Sequence, residues 1–207
     1  MFDGSFDRIW AGSLETQMAE EAVAIAAARL QAASNLGAYL TPQRLSGSFP
    51  WSQLSISGEI EDMVAKLPAL KAEDRYKKLL HDGRNADKAA GRTLVGPHRS
   101  DLVVRHGPKN IAAEEGSTGE QKALLIGLIL AQTEAIRTVT GSAPVLLLDE
   151  IAAHLDKARR TALFSHLDDL KVQAWMTGTE AELFDGASPS TVVYHVANGT
   201  LNESKFD

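Results

Sequence analysis

The sequence predicts an α/β protein in which a helical segment precedes a mostly parallel sheet flanked by further helices. Three observations support this fold class. Apolar residues recur every three or four positions over residues 11–36, as in one long helix. Strand-like and helix-like segments alternate over residues 120–196, an order that produces parallel sheets. The run from Val145 to Leu148 is apolar at every position, as in a strand buried on both faces.

Residues 1–92 are expected to form a helical arm. The first helix should end before Thr41-Pro42, because a proline disfavours helical backbone in the residue before it. Serines alternate with Leu54 and Ile56, which predicts a short strand. The elements expected in this arm are a helix over 11–36, a strand near 49–58, helices over 59–66 and 69–80, and a polar loop over 81–92.

Residues 93–207 are expected to contain the sheet. A Gly-Pro turn separates two strand-like runs, at 93–95 and 102–104, and Asn198-Gly199 predicts a second turn. The remaining elements expected in this part are a loop over 111–119, helices over 120–138, 157–170 and 180–184, and strands over 145–148, 173–176 and 191–196.

Composition narrows the class of protein further. Of the 207 residues, 44% are hydrophobic and 23% are charged, which is ordinary for a globular chain and unlike collagen or low-complexity proteins. The net charge of −6 excludes a basic surface over the whole chain but allows a local basic patch. The absence of cysteine excludes disulfides and thiolate metal sites, and it fits a reducing compartment.

The sequence also suggests where the protein resides. The first ten residues lack a charged segment followed by an apolar one, so no secretory leader is expected. The longest apolar run, over residues 123–131, is too short to cross a bilayer. We therefore expect a cytoplasmic protein with no membrane partner.

Asp149 and Glu150 come directly after the apolar strand. In sheets of this kind, ligands bind beyond the carboxyl ends of the strands. An aspartate there can hold Mg²⁺, usually through water, beside nucleotide phosphates. The adjacent Glu150 is placed to polarise a water molecule that attacks a phosphate. The alternative for this pair is a core strand that ends in a solvated acidic turn.

Two segments near this strand in the sequence carry further groups that suit a phosphate. The run Ser117-Thr118-Gly119-Glu120-Gln121 begins the apolar helix, where the helix dipole and unpaired amides favour an anion. The run His154-Leu155-Asp156 lies just before the next helix. Taken singly, each run is also an ordinary helix start, with Ser117 or Asp156 as the N-cap.

Three segments in this order resemble motifs of ATP-binding-cassette ATPases, particularly the SMC-like head domains. They are the signature motif at STGEQK (117–122), the Walker B strand at LLLDE (146–150) and the D-loop at HLD (154–156). With GPHRSDL (96–102) and WMTGTE (175–180), the chain is similar to the RecF family of bacterial recombination mediators. The resemblance covers most of the chain, and it implies the C-terminal half of an ABC-type ATPase head with a helical arm.

The resemblance implies a DNA-stimulated ATPase that binds ATP and Mg²⁺ and dimerises on ATP. It also implies action with RecO and RecR, which helps RecA to load at single-stranded gaps. In such a protein Asp149 would hold Mg²⁺ through water, and Glu150 would activate the attacking water. The segment 117–121 would clamp a nucleotide of the partner subunit, and Asp156 would lie at the dimer interface.

Two features depart from the family pattern. No G-x-x-x-x-G-K-[ST] phosphate loop occurs in the sequence, so the element that would hold the β- and γ-phosphates is missing. We therefore expect a truncated or split form that is inactive as an ATPase alone and that binds ATP and Mg²⁺ only with an N-terminal part or a partner. Thr177 stands where many members carry a switch histidine, and it would offer the γ-phosphate a neutral donor.

Basic residues cluster between residues 75 and 105 of this acidic chain. A local basic stripe binds DNA through its phosphates, with strong salt dependence and little regard to sequence; an ordinary solvated face is the alternative. Arg99 is singled out because it follows the Gly-Pro turn in a family-like segment. The candidate contacts to strand junctions or gapped duplex are Arg75, Lys77, Lys78, Arg92, Arg99 and Arg105.

Two other hypotheses remain open. In the first, the chain is a non-catalytic module that dimerises or docks a partner such as RecR, and the segment 117–121 is only a helix cap. In the second, the chain is a different SMC-like head. An arm of about 90 residues is too short for the long antiparallel coiled coil of such heads, which argues against the second.

Overall fold

The structure is a computed structural model that describes residues 4–45, 48–150 and 155–204. The chain forms two compact units, each with its own core. The first unit is Met1–Ala38 with Ser52–Arg105, and the second is Tyr39–Trp51 with His106–Asp207. The expected domain boundary after residue 92 stays a prediction.

The first unit is mainly helical. In chain order it contains α1 (Gly4–Gly37), β1 (Ser52–Ser57), α2 (Glu59–Lys66), α3 (Ala69–Ala90), a 3-10 turn (Pro97–Arg99) and β2 (Asp101–His106). β1 pairs with β2. The predicted helix over 59–66 and the short strand near 49–58 are confirmed, and α1 extends beyond the predicted helix at its N-terminal end.

The core of the first unit forms where α1 meets α2 and α3. The α1 residues in this core follow a spacing of three and four, which places them on one helix face. They are Ala19, Ala22, Val23 and Ala26. Because most of these side chains are methyl groups, the helices can approach closely. The other two helices contribute Ile60, Met63, Ala72, Tyr76 and Leu80.

The predicted loop over residues 81–92 is wrong, because α3 continues to Ala90. Gly83 within the helix costs about 1 kcal/mol relative to alanine. The helix is nevertheless held by Arg84, which donates two hydrogen bonds of 2.5 and 2.7 Å to the buried carboxylate of Glu15 on α1. α3 ends at Gly91, whose φ of +65° suits glycine.

Two further predictions, one in each unit, are also wrong. Residues 93–95 form no strand; a side-chain hydroxyl, that of Tyr76, satisfies the Val95 carbonyl at 2.9 Å. The predicted loop over 111–119 contains β3 (Ile111–Ala112) and a 3-10 turn (Ala113–Glu115). In both places the backbone polar groups find partners that residue patterning alone does not reveal.

The second unit holds the α/β arrangement. After β3 and its 3-10 turn come α4 (Thr118–Thr140), β4 (Leu146–Leu148), α5 (Lys157–Leu170), β5 (Ala174–Met176), a 3-10 turn (Ala181–Phe184), β6 (Val193–Ala197) and β7 (Thr200–Ser204). β4 and β5 are parallel, with Leu148 opposite Met176. β6 and β7 form an antiparallel hairpin that turns at Asn198-Gly199, as predicted. The α/β class is confirmed.

One face of the β4–β5 pair packs against helices. Side chains from α4 and α5 meet Leu148 in a shared core with Leu155. The expectation that β4 is buried on both faces is wrong, because the side chain of Leu147 is 78% exposed. In the described part of the second unit only β5 pairs with β4. On the face that carries Leu147, Trp175 stacks on Tyr194 of β6, with 6.3 Å between the ring centroids.

The helix α4 is the one described helix that is long and apolar enough to cross a membrane by length and composition. The core helix of a globular unit passes the same test, and α4 supplies Ala123, Ile126 and Leu130 to the core of the second unit. Packing therefore accounts for part of the apolar character of α4, whereas Leu125 and Val139 on the same helix are exposed.

The two faces of β4 give a test of this arrangement. Leu148→Ala is expected to destabilise the protein by about 2–5 kcal/mol, because it leaves a cavity in the core. Leu147→Ala is the matched control and should change stability by about 0.5 kcal/mol or less. Urea unfolding of both variants measures the difference, and equal destabilisation would contradict the one-sided burial of β4.

Candidate functional site

Asp149, Glu150 and Thr177 come together at one edge of the β4–β5 pair. The two acidic residues directly follow β4, and Thr177 directly follows β5. Because the strands are parallel, their carboxyl ends lie side by side. All three residues are exposed, so the cluster is open to a ligand.

Thr177 links the other two residues of this cluster. The Thr177 hydroxyl donates a 2.5 Å hydrogen bond to the Oδ1 atom of Asp149. The hydroxyl oxygen of Thr177 in turn accepts a 2.9 Å hydrogen bond from the backbone N–H of Glu150. The backbone N–H of Thr177 donates to the carbonyl of Leu148 at 3.2 Å. A hydroxyl has a single proton to donate, so Thr177 here orients the acidic pair.

Glu150 has an uncommon backbone conformation. Its φ of +51° lies in the left-handed region, which non-glycine residues adopt only where neighbouring groups hold them. The hydrogen bond from its N–H to Thr177 supplies such a restraint. The strained position therefore coincides with the residue that the sequence singles out as a base.

The segment 117–121 is a well-formed helix start. The N–H and hydroxyl of Ser117 both donate to Oε2 of Glu120, at 2.9 and 3.1 Å, and the Ser117 oxygen accepts from the Glu120 N–H at 3.4 Å. This reciprocal arrangement is a capping box. The Gln121 amide donates to the carbonyls of Glu114 and Gly116, both at 3.1 Å. Ser117 and Thr118 are exposed, and Gly119 is half-buried.

Glu120 is the charged centre of this helix start. The Lys109 ammonium forms an ion pair with its carboxylate, and Ser117 donates to it twice. These contacts, with Lys109 first and Ser117 second, lower the pKa of Glu120 to about 2. The carboxylate therefore stays ionised well below neutral pH.

Arg159 is a residue of this region that the sequence analysis missed. Its guanidinium donates to the Gly119 carbonyl at 3.4 Å and to the Ser48 carbonyl at 3.3 Å. Its backbone N–H donates to Asp156 at 2.9 Å, which makes Asp156 the N-cap of α5. An arginine in the first turn of a helix opposes the helix dipole, and that is the sequence signal that could have indicated a partner for it.

The two described D-loop candidates, Leu155 and Asp156, differ in burial. Asp156 is exposed and Leu155 is buried in the core of the second unit. The assignment of these residues to a D-loop stays a prediction. His154 lies outside the described residues.

The basic candidates lie in the first unit. All six are exposed: Arg75, Lys77, Lys78, Arg92, Arg99 and Arg105. Arg84, in the same stretch, is paired with Glu15 and is less available to an anion. The structure thus supplies exposed cations on α3 and on the segment that follows it.

The capping box predicts a specific pH dependence of stability. Because the pKa of Glu120 is lowered from 4.5 to about 2, its stabilising effect is present above the unfolded pKa and is lost as pH falls through about 2. In thermal unfolding, the wild-type chain should lose stability between pH 5 and pH 2, and Glu120→Gln should lack the part of this loss that comes from Glu120. Glu114→Gln, which removes an exposed charge nearby, should keep it; identical profiles for the two variants would contradict this role.

Comparison with known proteins places this geometry in context. No protein-family model matches the chain. Curated proteins named DNA replication and repair protein RecF do match it. That of Mesorhizobium japonicum is 49% identical over 203 residues, which is 98% of this chain and 54% of that protein. That of Brucella abortus is 49% identical over 199 residues, which is 96% of this chain and 52% of that protein.

Solved structures agree in fold. A structure of the recombination mediator protein RecF with ATPrS in the RecFOR pathway superimposes with a TM-score of 0.71 at 21% identity, over 93% of this chain and 50% of that one. A RecF-ATP structure gives a TM-score of 0.66, over 92% of this chain and 50% of that one. Over nearly its whole length the chain is therefore similar in sequence and in fold to RecF proteins, and it spans about half of their length.

Proposed function

We propose that this chain supplies the Walker B carboxylates and the signature segment of a RecF-type recombination mediator. The observation that carries the proposal is the cluster of Asp149, Glu150 and Thr177 at the carboxyl edge of two parallel strands. The cluster lies in a chain that is 49% identical to RecF proteins. A conserved fold alone would not specify function; the placement of these three side chains supplies the chemical argument.

The acidic cluster fits a hydrated Mg²⁺ ion that accompanies ATP. The described residues include no group of three or more His, Cys, Asp or Glu side chains that could hold a metal. In the proposal, water and phosphate oxygens complete the ligand set beside Asp149, as Mg²⁺ readily accepts. Asp149 has one carboxylate oxygen bonded to Thr177 and a second that can hold metal-bound water. The ion would neutralise charge on the phosphates.

Glu150 is assigned the role of orienting and activating the attacking water. Its backbone is held by Thr177, so its carboxylate is presented from a fixed position beyond the strand. A general base must lie within hydrogen-bond reach of the proton that it removes. We infer that Thr177 acts through these two residues, as a positioning group, rather than as the donor to the γ-phosphate expected from the sequence.

The segment 117–121 is assigned to a nucleotide held by a second subunit, in an ATP-dependent homodimer. The first amides of α4 suit a phosphate, and the exposed Ser117 hydroxyl would have to exchange its hydrogen bond to Glu120 for one to the phosphate. Arg159 joins this segment to the start of α5 through Gly119 and Asp156. Arg159 therefore couples the segment 117–121 to the start of α5, so that a ligand bound at one would affect the position of the other.

Nucleotide binding in this proposal requires an N-terminal part of the kind that RecF proteins have beyond the matched region, or a partner that supplies it. No phosphate-loop motif occurs in the sequence, and one face of the β4–β5 pair exposes apolar side chains that water disfavours. Leu147 is 78% exposed, and Val145 and Trp175 are each 54% exposed. An exposed apolar patch of this kind is typical of a surface that another protein segment covers. We assign the covering role to the part of a RecF-type protein that this chain does not span.

The proposed setting is DNA repair in the cytoplasm. The exposed cations of the first unit would contact DNA phosphates at gapped or junction DNA, and RecO and RecR would be partners. The related solved structure is that of a mediator in the RecFOR pathway, which supports the assignment of these two partners. Helping RecA to load is the activity expected of the complete assembly.

A non-catalytic docking module is the second candidate function. Ser117 and Glu120 form the capping box of α4, and Gln121 donates to the carbonyls of Glu114 and Gly116. Each of these residues therefore has a structural role without a nucleotide. In that case the exposed apolar face would bind a partner without ATP chemistry. The experiment below separates the two candidates.

ATP turnover in a reconstituted assembly tests the proposal. The chain is mixed with the part of the Mesorhizobium japonicum relative that it does not match, and ATP hydrolysis is measured with Mg²⁺ and gapped DNA. We expect no turnover by the chain alone, turnover by the mixture, and loss of turnover but not of ATP binding with Glu150→Gln. Glu180→Gln is the charge-matched control. Association without turnover sensitive to Glu150 would favour the docking module.

The positioning role of Thr177 gives a second prediction in the same assembly. Thr177→Val has nearly the same shape but neither donates to Asp149 nor accepts from Glu150, so hydrolysis should fall by about 10- to 100-fold. Thr177→Ser keeps the hydroxyl and should retain activity close to that of the unaltered chain. Equal activity of the valine and serine variants would contradict the role.

A further inference from the structure

The segment 93–100 is irregular, yet side chains from the helices of the first unit hold it firmly. The Tyr76 hydroxyl on α3 donates to the Val95 carbonyl at 2.9 Å. The Arg29 guanidinium on α1 donates to the Pro97 carbonyl at 2.5 Å. A loop fixed in this way presents its exposed side chains from a rigid support, which is how binding residues are commonly carried.

Glu61 on α2 is the buried charge that anchors this segment. Its side chain is 1% exposed. One carboxylate oxygen accepts a 2.6 Å bond from the Ser100 hydroxyl, and the other lies 3.6 Å from the Arg29 guanidinium. A buried carboxylate is costly unless it is paired. Oε1 of Glu61 accepts no hydrogen bond among the described residues, so the Ser100 hydroxyl and the nearby Arg29 charge hold the carboxylate and the end of the segment that it contacts.

A glycine makes room for this contact. A Cβ atom at Gly58 would lie 2.0 Å from Oε2 of Glu61 and 2.5 Å from the Ser100 hydroxyl oxygen. Both distances are far inside van der Waals contact. Any larger residue at position 58 would force the carboxylate and the serine apart, so the contact depends on a specific local geometry and not on general burial.

The anchored segment presents Arg99. Its N–H donates to the Gly96 carbonyl at 3.0 Å and the Ser100 N–H donates to Pro97 at 3.3 Å, which closes a single 3-10 turn. Arg99 itself is exposed. We propose that Glu61 is a positioning residue that holds this turn through Ser100 and Arg29, so that Arg99 meets a DNA phosphate. The inference rests on the proposed DNA-binding function.

The salt dependence of DNA binding tests this coupling. Loss of one phosphate contact lowers the slope of log affinity against log salt by about 0.9, or about 3.5-fold in affinity between 50 and 200 mM salt. Binding of the full chain to gapped duplex is measured for Arg99→Ala, Glu61→Gln and the double variant. We expect the slope to decrease by this amount in each single variant and by no more in the double variant, because the effects of coupled residues are non-additive.

Asp62→Asn is the matched control, because Asp62 is an exposed acid on the same helix and its loss changes the net charge equally. It should leave the slope unchanged. Ser100→Ala serves as a second variant that keeps the ion pair of Glu61 and removes only the hydrogen bond; it should reproduce part of the loss. Additive effects of Glu61→Gln and Arg99→Ala would overturn the proposal.

Amide hydrogen exchange separates failure of this inference from failure of the DNA-binding proposal. Exchange at Arg99 and Ser100 should be faster in Glu61→Gln than in Asp62→Asn, without DNA. Equal exchange in the two variants overturns the positioning role. Faster exchange in a chain whose DNA affinity is independent of Arg99 supports the anchor and overturns the DNA contact assigned to the turn.

Discussion

The hydrogen bond between the hydroxyl of Thr177 and the carboxylate of Asp149 is the interaction on which the candidate site depends. It joins the ends of β4 and β5, whose parallel register brings the two residues side by side. The same hydroxyl holds the backbone of Glu150 in a left-handed conformation. Core packing of Leu148 against α4 and α5 fixes the strand below, so the position of the acidic pair follows from the fold.

Two further hydrogen-bonded clusters occur in the described residues, and in each a charged side chain holds segments of backbone in place. Arg159 joins the starts of α4 and α5 through the Gly119 carbonyl and Asp156. In the first unit, Glu61 holds an irregular segment through Ser100 and Arg29. Such groups are effective anchors because charge-assisted hydrogen bonds are stronger and more directional than neutral ones. Each cluster leaves at least one neighbouring polar residue exposed for binding.

The sequence predicted local features well and contacts between distant segments poorly. α5 and its N-cap Asp156 were predictable because a capping residue and apolar periodicity coincide there. The continuation of α3 to Ala90 was not, because it depends on Arg84 reaching Glu15, 69 residues away. Of the site, Asp149 and Glu150 were identified from the strand, whereas the role of Thr177 requires the register of β4 against β5, which residue patterning does not specify.

Paramagnetic relaxation tests the central claim, that the acidic pair faces a metal-bound nucleotide, most directly. Mn²⁺ replaces Mg²⁺ with ATP in the reconstituted assembly, and broadening of backbone amide signals is measured in the labelled chain. The proposed geometry predicts that the strongest broadening falls at residues 149, 150 and 177. Broadening that spares those three residues while ATP and Mn²⁺ are bound would contradict the assignment of the site.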